Sequence, residues 1–403
     1  MLAPRAFIHR FRWLVAALFC VVLGTAAGAL WQQYQPSFRE ASSIGSVQSF
    51  DALKANFEEL ADRKGARYAL EVLRRAPLPP NTDLHLLAHA VGDKLYAQEG
   101  VDGIAACTPE FRNACSHSIV VGALREEGEG ALPKIREACK KAPGGPGAYT
   151  MCFHGLGHGV FSFYDFEYPQ TIAMCEKTGT PEYRNREAIE CIGGSVMELM
   201  GGGGGHDPSA WEYARETYLT KKDPLSPCMA DFMPESARAI CLTYLTPQLW
   251  QHAGVELGIP DPELFPEAFS YCDKIPKDKP ELRLACFGGF GKEFIPLVAA
   301  RDIRAVDKMP SESMSTVMSW CEKAQVSDGI AACVAEGLSS LFWGGENDPE
   351  ASFRYCALAP AGEPSRACYE RLAGAIRSYI PDAANRQVLC EKVPPLYRPI
   401  CAF

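Results

Sequence analysis

The sequence predicts an all-α protein: disulfide-stapled helical-hairpin repeats forming an α-solenoid or an α/α toroid, after one N-terminal transmembrane helix. Three observations predict it. Apart from Cys20, the cysteines fall into neighbouring pairs at regular intervals; a small-residue motif beginning at the second cysteine of a pair returns along the chain; and no stretch sustains the alternation of a strand. At 403 residues and 47% hydrophobic composition, the chain is long enough for several domains or for one long array with its own core.

Residues 1–12 carry Arg5, Arg10 and Arg12 and no acid, and residues 13–31 (WLVAALFCVVLGTAAGALW) are uncharged and apolar. As a helix this run is nearly long enough to cross a bilayer, and arginines on its N-terminal side alone put the N-terminus in the cytoplasm and the bulk of the chain outside. Ala27-Gly28-Ala29 also has the small-x-small form of a signal-peptide cleavage site. The apolar run is on the long side for a signal peptide's ~7 to 15 residues, which favours a retained signal-anchor in a single-pass protein. Residues 32–46, polar with a proline and several serines, read as a tether. The exported repeat domain is expected over 47–403.

Helical periodicity starts at Phe50, with apolar residues at Phe50, Leu53, Phe57 and Leu60, and resumes after Gly65 from Ala66 to Arg75. Pro77, Pro79 and Pro80 end that helix. Asn81 or Thr82 can cap the next one, Asp83 to about Gln98. This helix repeats later in the chain: Asp83-x-His85-x-x-x-His89 matches Cys152-x-His154-x-x-x-His158 position for position. Cys115-Ser116-His117 keeps the first histidine and has Val121 in place of the second. Later copies keep only the frame, as in Cys191-Ile-Gly-Gly-Ser-Val-Met-Glu198 and Cys286-Phe-Gly-Gly-Phe-Gly-Lys-Glu293. Successive second cysteines lie 33 to 50 residues apart, the period of a helical repeat. Each unit is expected to begin a helix at or just after the second cysteine, turn, and end a second helix near the next first cysteine.

Of the 17 cysteines, Cys20 lies in the apolar run, and the other 16 pair as neighbours: 107 with 115, 139 with 152, 175 with 191, 228 with 241, 272 with 286, 321 with 333, 356 with 368, and 390 with 401. No Cys-x-x-Cys occurs, so sequential disulfides in an oxidising compartment are expected rather than metal thiolates. The short Ala- and Arg-rich N-terminus favours a bacterial periplasm over another extracytoplasmic space. Helix pairs stapled this way resemble tetratricopeptide arrays, but the period is too irregular and the consensus residues do not line up. The Cys-x-His-Gly run is similar, over a few residues only, to the zinc segment of lanthionine-synthetase-like toroids. There the cysteine is a free thiolate ligand, whereas Cys152 fits a disulfide with Cys139, and the chain is assigned to neither family.

Charge excludes one class of partner. The net charge is −9; without the three N-terminal arginines, 37 basic residues face 49 acidic ones from Leu30 onward, about −12. Such a surface repels phosphate backbones, so nucleic acid is not expected as a partner.

Five of the eight histidines, His85, His89, His117, His154 and His158, occupy two repeat positions in three units, within a His-rich stretch of about 81–210. Imidazoles one helical turn apart form half of a usual transition-metal site, and neighbouring helices can complete it. These five are the expected ligands, for Zn, Cu, Fe or Mn. Glu198 and Asp93, beside the second histidine position, are the expected catalytic or supporting carboxylates. Neither histidine pair has the Glu of His-Glu-x-x-His, and Cys-x-x-Cys-His is absent, so zincin peptidase chemistry and covalent c-type haem are not expected. Gly201 to Gly205 lacks the Lys-Ser/Thr of a P-loop and reads as a flexible loop.

The expected function is therefore a membrane-anchored, exported metal-binding protein, and as an enzyme it would be a metal-dependent hydrolase or oxidoreductase. Two alternatives remain open from sequence: a rigid scaffold that docks a protein partner on a concave face, its histidines structural, and a metal storage or delivery protein. The sequence names no substrate.

Overall fold

A computed structural model describes residues 36–44, 49–108, 110–201, 208–304, 306–342 and 348–402. The expected membrane span at 13–31, the first part of the tether and the glycine-rich loop at 202–207 lie outside these residues. Among the described residues there is no strand, and no helix is long and apolar enough to cross a membrane. Part of the expected tether is folded: Pro36–Ile44 is a helix whose Ala41 and Ile44 are buried and whose Ser37 hydroxyl accepts a 2.8 Å hydrogen bond from Arg75.

Helices Phe50–Lys64 and Ala66–Leu73 follow, separated at Gly65, which holds a φ of 92°. Eight longer or central helices then form the inner layer: α1 Leu84–Glu99, α2 Ala114–Glu127, α3 Gly145–Phe163, α4 Arg186–Gly201, α5 Glu235–Tyr244, α6 Pro280–Val298, α7 Ser327–Glu336 and α8 Glu363–Tyr379. The cap of α1 is Asp83 rather than Asn81 or Thr82, its carboxylate accepting from the Leu86 amide at 3.0 Å. Each inner helix packs on the next in chain order, and α8 returns to pack on α3. The C-terminal half also meets the N-terminal half directly. Arg301 pairs with Asp83 at 3.0 Å, the Asn81 amide donates to Ala300 O at 2.8 Å, and Arg304 donates to Ala76 O at 2.6 Å.

All eight disulfides join the neighbours that the sequence pairs, from Cys107–Cys115 to Cys390–Cys401. They belong to a protein of an oxidising, extracytoplasmic compartment. From α3 to α8 the helix begins one to two turns before the second cysteine rather than at it. Pro146, Pro280 and Pro364 stand in the first turns of α3, α6 and α8, where a missing N–H costs nothing, so the residues upstream of the cysteine nucleate the helix. The bond then staples the end of an outer segment to the second turn of an inner helix.

Glycines set how closely the inner helices approach. A Cβ on Gly157 of α3 would stand 1.9 Å from Cys191 O, and one on Gly194 of α4 would stand 1.9 Å from His154 O. The two helices therefore pack backbone against backbone. The same holds where the histidine-bearing helices meet: a Cβ on Gly92 of α1 would stand 3.2 Å from Cys115 Cα of α2, and one on Gly155 of α3 would stand 2.6 Å from His117 Cα of α2.

Candidate metal centre

α1 supplies His85 and His89, α2 supplies His117, and α3 supplies His154 and His158. His85, His117 and His158 each bring one ring nitrogen to within 4.8 Å of the other two. The remaining two flank this triad: His89 Nε2 lies 3.1 Å from His85 Nε2, and the His154 ring centre is 5.2 Å from that of His158 and 5.7 Å from that of His117. All five expected histidines thus form one cluster.

The two rings at the edges of the triad are oriented from behind. His85 Nδ1 donates to Phe111 O at 2.6 Å; a carbonyl only accepts, so the proton sits on Nδ1 and Nε2 carries the lone pair. That carbonyl is presented by three consecutive residues in the left-handed region, Phe111, Arg112 and Asn113, with φ of 54°, 57° and 64°. Such backbone costs of order 1–3 kcal/mol per non-glycine residue and clusters at functional sites. His158 Nδ1 lies 2.9 Å from Glu198 Oε2, the carboxylate–histidine arrangement that leaves Nε2 free as a ligand. Among the described residues, His158 Nε2 is buried without a hydrogen-bond partner, and so are both ring nitrogens of His117, a residue only 1% exposed.

Burial also fixes charge. It lowers His85 and His154 to about 4 and holds His89 and His117 well below the ordinary histidine value of 6.5. The Phe111 carbonyl opposes this at His85 and Glu190 opposes it at His154, without reversing either. Near neutral pH these four rings are uncharged and keep a lone pair, the form that binds metal. The donor set fits a transition ion. Nitrogens about 2.1 Å from one tetrahedral ion stand roughly 3.4 Å apart, so closing the triad takes side-chain movement of the order of an ångström. The 3.1 Å between His85 and His89 suits either a hydrogen bond between the rings or two nitrogens sharing one ion.

No protein family, characterised protein or solved structure matches this chain. What the site can do is therefore carried by its own residues.

A cavity of about 230 Å³ opens against His85, His89 and His158. Its far wall is built by the C-terminal half: Tyr244 of α5, Trp250, and Lys292 and Glu293 of α6, with Arg112 and Arg301 at its sides. Between the rings a smaller void of about 10 Å³, room for one water or one ion, touches His85, His117, His154, Met151 and Met197. Lys292 is 3% exposed, its ammonium 2.5 Å from Glu293 and 4.6 Å from the centre of the Tyr244 ring. Burial lowers the lysine from its ordinary value, against the pull of Glu293. Glu198 lines the cavity, whereas Asp93, one turn beyond His89, is exposed and stands outside the lining.

Arg112, Tyr244 and Lys292 are site residues that the sequence reading did not select, and Glu293 had from sequence a weaker claim than Glu198 or Asp93. A signal for one of them was present. His158, Met197, Pro247 and Lys292 each follow the second cysteine of their unit by six residues, and His89 follows Asp83 by the same step. All five line the cavity. In these five units, though not at Val121, Ser339 or Gly374 of the others, one register position therefore faces the cavity, whatever side chain occupies it.

Proposed function

We propose that this is an exported metalloprotein that holds a transition metal through His85, His117 and His158, with His89 as a further ligand, and acts as a metal-dependent enzyme on a small molecule. The observation that carries this reading is the pair of buried residues His117 and His158 with unpartnered ring nitrogens, converging on a third imidazole whose tautomer is set from behind. Histidines kept for packing alone satisfy their nitrogens, because each buried orphan costs about 1–3 kcal/mol.

A bound ion of this kind supplies Lewis acidity or redox chemistry at the cavity floor. The chain's own residues then have distinct tasks. Glu198 positions His158, and Phe111 O positions His85. Lys292 and Glu293 hold a proton between them at 2.5 Å on the wall facing the metal ligands, where a substrate group would meet them. Tyr244, Trp250 and Met197 exclude water and shape an apolar enclosure. A cavity that reaches the ligands favours catalysis over storage in a sealed site. The apolar run at 13–31 anchors the protein to the membrane in this reading, with the body in the periplasm and the inner helices closed into a toroid through α3 and α8.

Elemental analysis of the full chain, purified oxidised and without chelator, tests the proposal. At least one equivalent of Zn, Cu, Fe or Mn is expected, lost in His117→Ala/His158→Ala while helicity is retained. A chain that arrives empty and takes up none of these ions on titration refutes it.

A further inference from the structure

Two cations stand together on the wall that faces the metal ligands. Lys292 of α6 is buried, and Arg112 comes from the left-handed segment just before α2. Ser340, also buried, holds them side by side: its hydroxyl donates to Lys292 O at 2.7 Å and accepts from Arg112 Nη2 at 3.2 Å. Like charges held at close quarters away from water repel each other more strongly than at a surface, and an anion between them relieves the repulsion. The acids of the cavity are mostly committed elsewhere. Asp83 pairs with Arg301 at 3.0 Å and caps α1, and Glu198 lies 2.9 Å from His158 Nδ1. Glu293, 2.5 Å from the Lys292 ammonium, is the lining acid left to the two cations. An ammonium carries three N–H donors, and Glu293 takes one of them.

The void of about 10 Å³ between the rings is lined by both Lys292 and Arg112, together with His85 and His117, and by no carboxylate among the described residues. The larger cavity shares Lys292, Arg112, His85 and Tyr244 with it, so a ligand in the cavity can place one oxygen there. Size and lining narrow the ligand further. An apolar cavity of about 150 Å³ holds one benzene, so about 230 Å³ holds roughly nine non-hydrogen atoms. Nucleotides, peptides and oligosaccharides are too large. Leu84, Trp250, Leu297 and Ile303 make an apolar stretch of the same wall, which suits a ligand with an apolar body. The indole N–H of Trp250 is buried with no partner among the described residues, one more donor in a cavity short of free acceptors.

We propose that the substrate of this cavity is a small organic acid, its carboxylate held between Lys292 and Arg112 and turned toward the metal ligands, its apolar body against Trp250 and Leu297. The proposal rests on the metal reading of the triad for the ion that the carboxylate faces, whereas the two cations that select the acid belong to the chain itself. A guanidinium and an ammonium together grip a carboxylate by charge-assisted hydrogen bonds, and an uncharged amide of the same shape forfeits them.

The test is isothermal titration calorimetry on the oxidised full chain, with Zn²⁺ content measured by elemental analysis on the same samples. The probes are benzoate and hexanoate, which match the cavity in size, and their uncharged amides, benzamide and hexanamide. The Zn²⁺-loaded wild type is expected to bind at least one of the acids, about 10- to 100-fold more tightly than its amide. Lys292→Met and Arg112→Gln are each expected to remove most of that preference while helicity and Zn²⁺ content stay unchanged. Arg112→Gln keeps the proposal testable should Lys292→Met, which strands Glu293, unfold the chain. A preference for the acid that survives both substitutions belongs to the metal alone and overturns the proposal. Equal binding of acid and amide, or binding of neither acid, also overturns it. A chain that takes up no Zn²⁺ refutes the metal reading by itself. The same titration on that chain then still decides the acid: a preference that Arg112→Gln removes sustains the two-cation site, and no preference overturns it.

Discussion

Replacing His117 by leucine separates a ligand from a packing residue by the direction in which stability moves. A neutral imidazole carries one N–H and one lone pair, and in the metal-free chain neither has a partner among the described residues. A buried orphan of this kind costs about 1–3 kcal/mol, and leucine fills a similar volume without it. Metal-free His117→Leu is therefore expected to be more stable than wild type by about 1–3 kcal/mol. At about 2 °C per kcal/mol for a large domain, apparent Tm rises by about 2–6 °C. Metal reverses the order. At free ion concentrations of about 100 to 1,000 times Kd the wild type gains about 2.7 to 4.1 kcal/mol, while the variant has lost a ligand and gains little. Circular-dichroism melts of the oxidised full chain, with EDTA and with saturating Zn²⁺, read both arms. A variant that melts lower than wild type by the same margin in both conditions would show that His117 serves packing, and the metal argument fails with it.

Three further outcomes follow from particular contacts. Glu198→Gln weakens the acceptor behind His158, so chelator competition is expected to show a roughly 10- to 100-fold loss of metal affinity at unchanged helicity; an unchanged affinity removes Glu198 from the site. Gly157→Ala places a Cβ 1.9 Å from Cys191 O and is expected to cost about 3 kcal/mol, whereas Gly374→Ala, with open space at its Cβ inside α8, gains about 0.5–1 kcal/mol; equal melting curves for the two contradict the close packing of α3 on α4. The metal-free chain also depends on pH in a defined sense. His85 and His154 are held at about 4 against 6.5, so between those values the unfolded chain binds more protons than the folded one. Their contribution is complete above pH 6.5 and is lost as pH falls toward 4, which lowers apparent Tm across that window. A melting temperature that is flat from about pH 7 to about pH 4.5 would show these rings to be hydrated rather than buried.

The half of the site that was legible in the sequence is the half that repeats. His85, His89, His117, His154 and His158 stand out because aligned units place the same residue type at the same step, and helical geometry then puts those steps on one face. The disulfide pairs were legible for the same reason, each closing a loop short enough to leave one neighbour as the natural partner. The opposite wall was not. Lys292 faces His158 only because the C-terminal half folds back on the N-terminal half, as where Arg301 reaches Asp83, contacts between residues more than 200 positions apart that no local period encodes. Its register position did encode its inward direction, yet a lysine at an apolar frame reads as a surface residue until Glu293 and Tyr244 are seen to enclose it. The helix starts were placed late for a local reason: proline and glycine before the second cysteine read as breakers, whereas in the first turn proline starts a helix.

The order of the eight disulfides along the chain bears on how the protein is made. Every bond joins a cysteine to the next one in the chain, at most 16 residues away. A chain whose exported part enters an oxidising space in N- to C-terminal order can thus be oxidised pair by pair as it emerges, with the correct thiol always the nearest one available. Oxidation in that sequence needs an electron acceptor but no later shuffling of partners, so a strongly oxidising space suffices to set all eight links before the last helices arrive to close over the histidines.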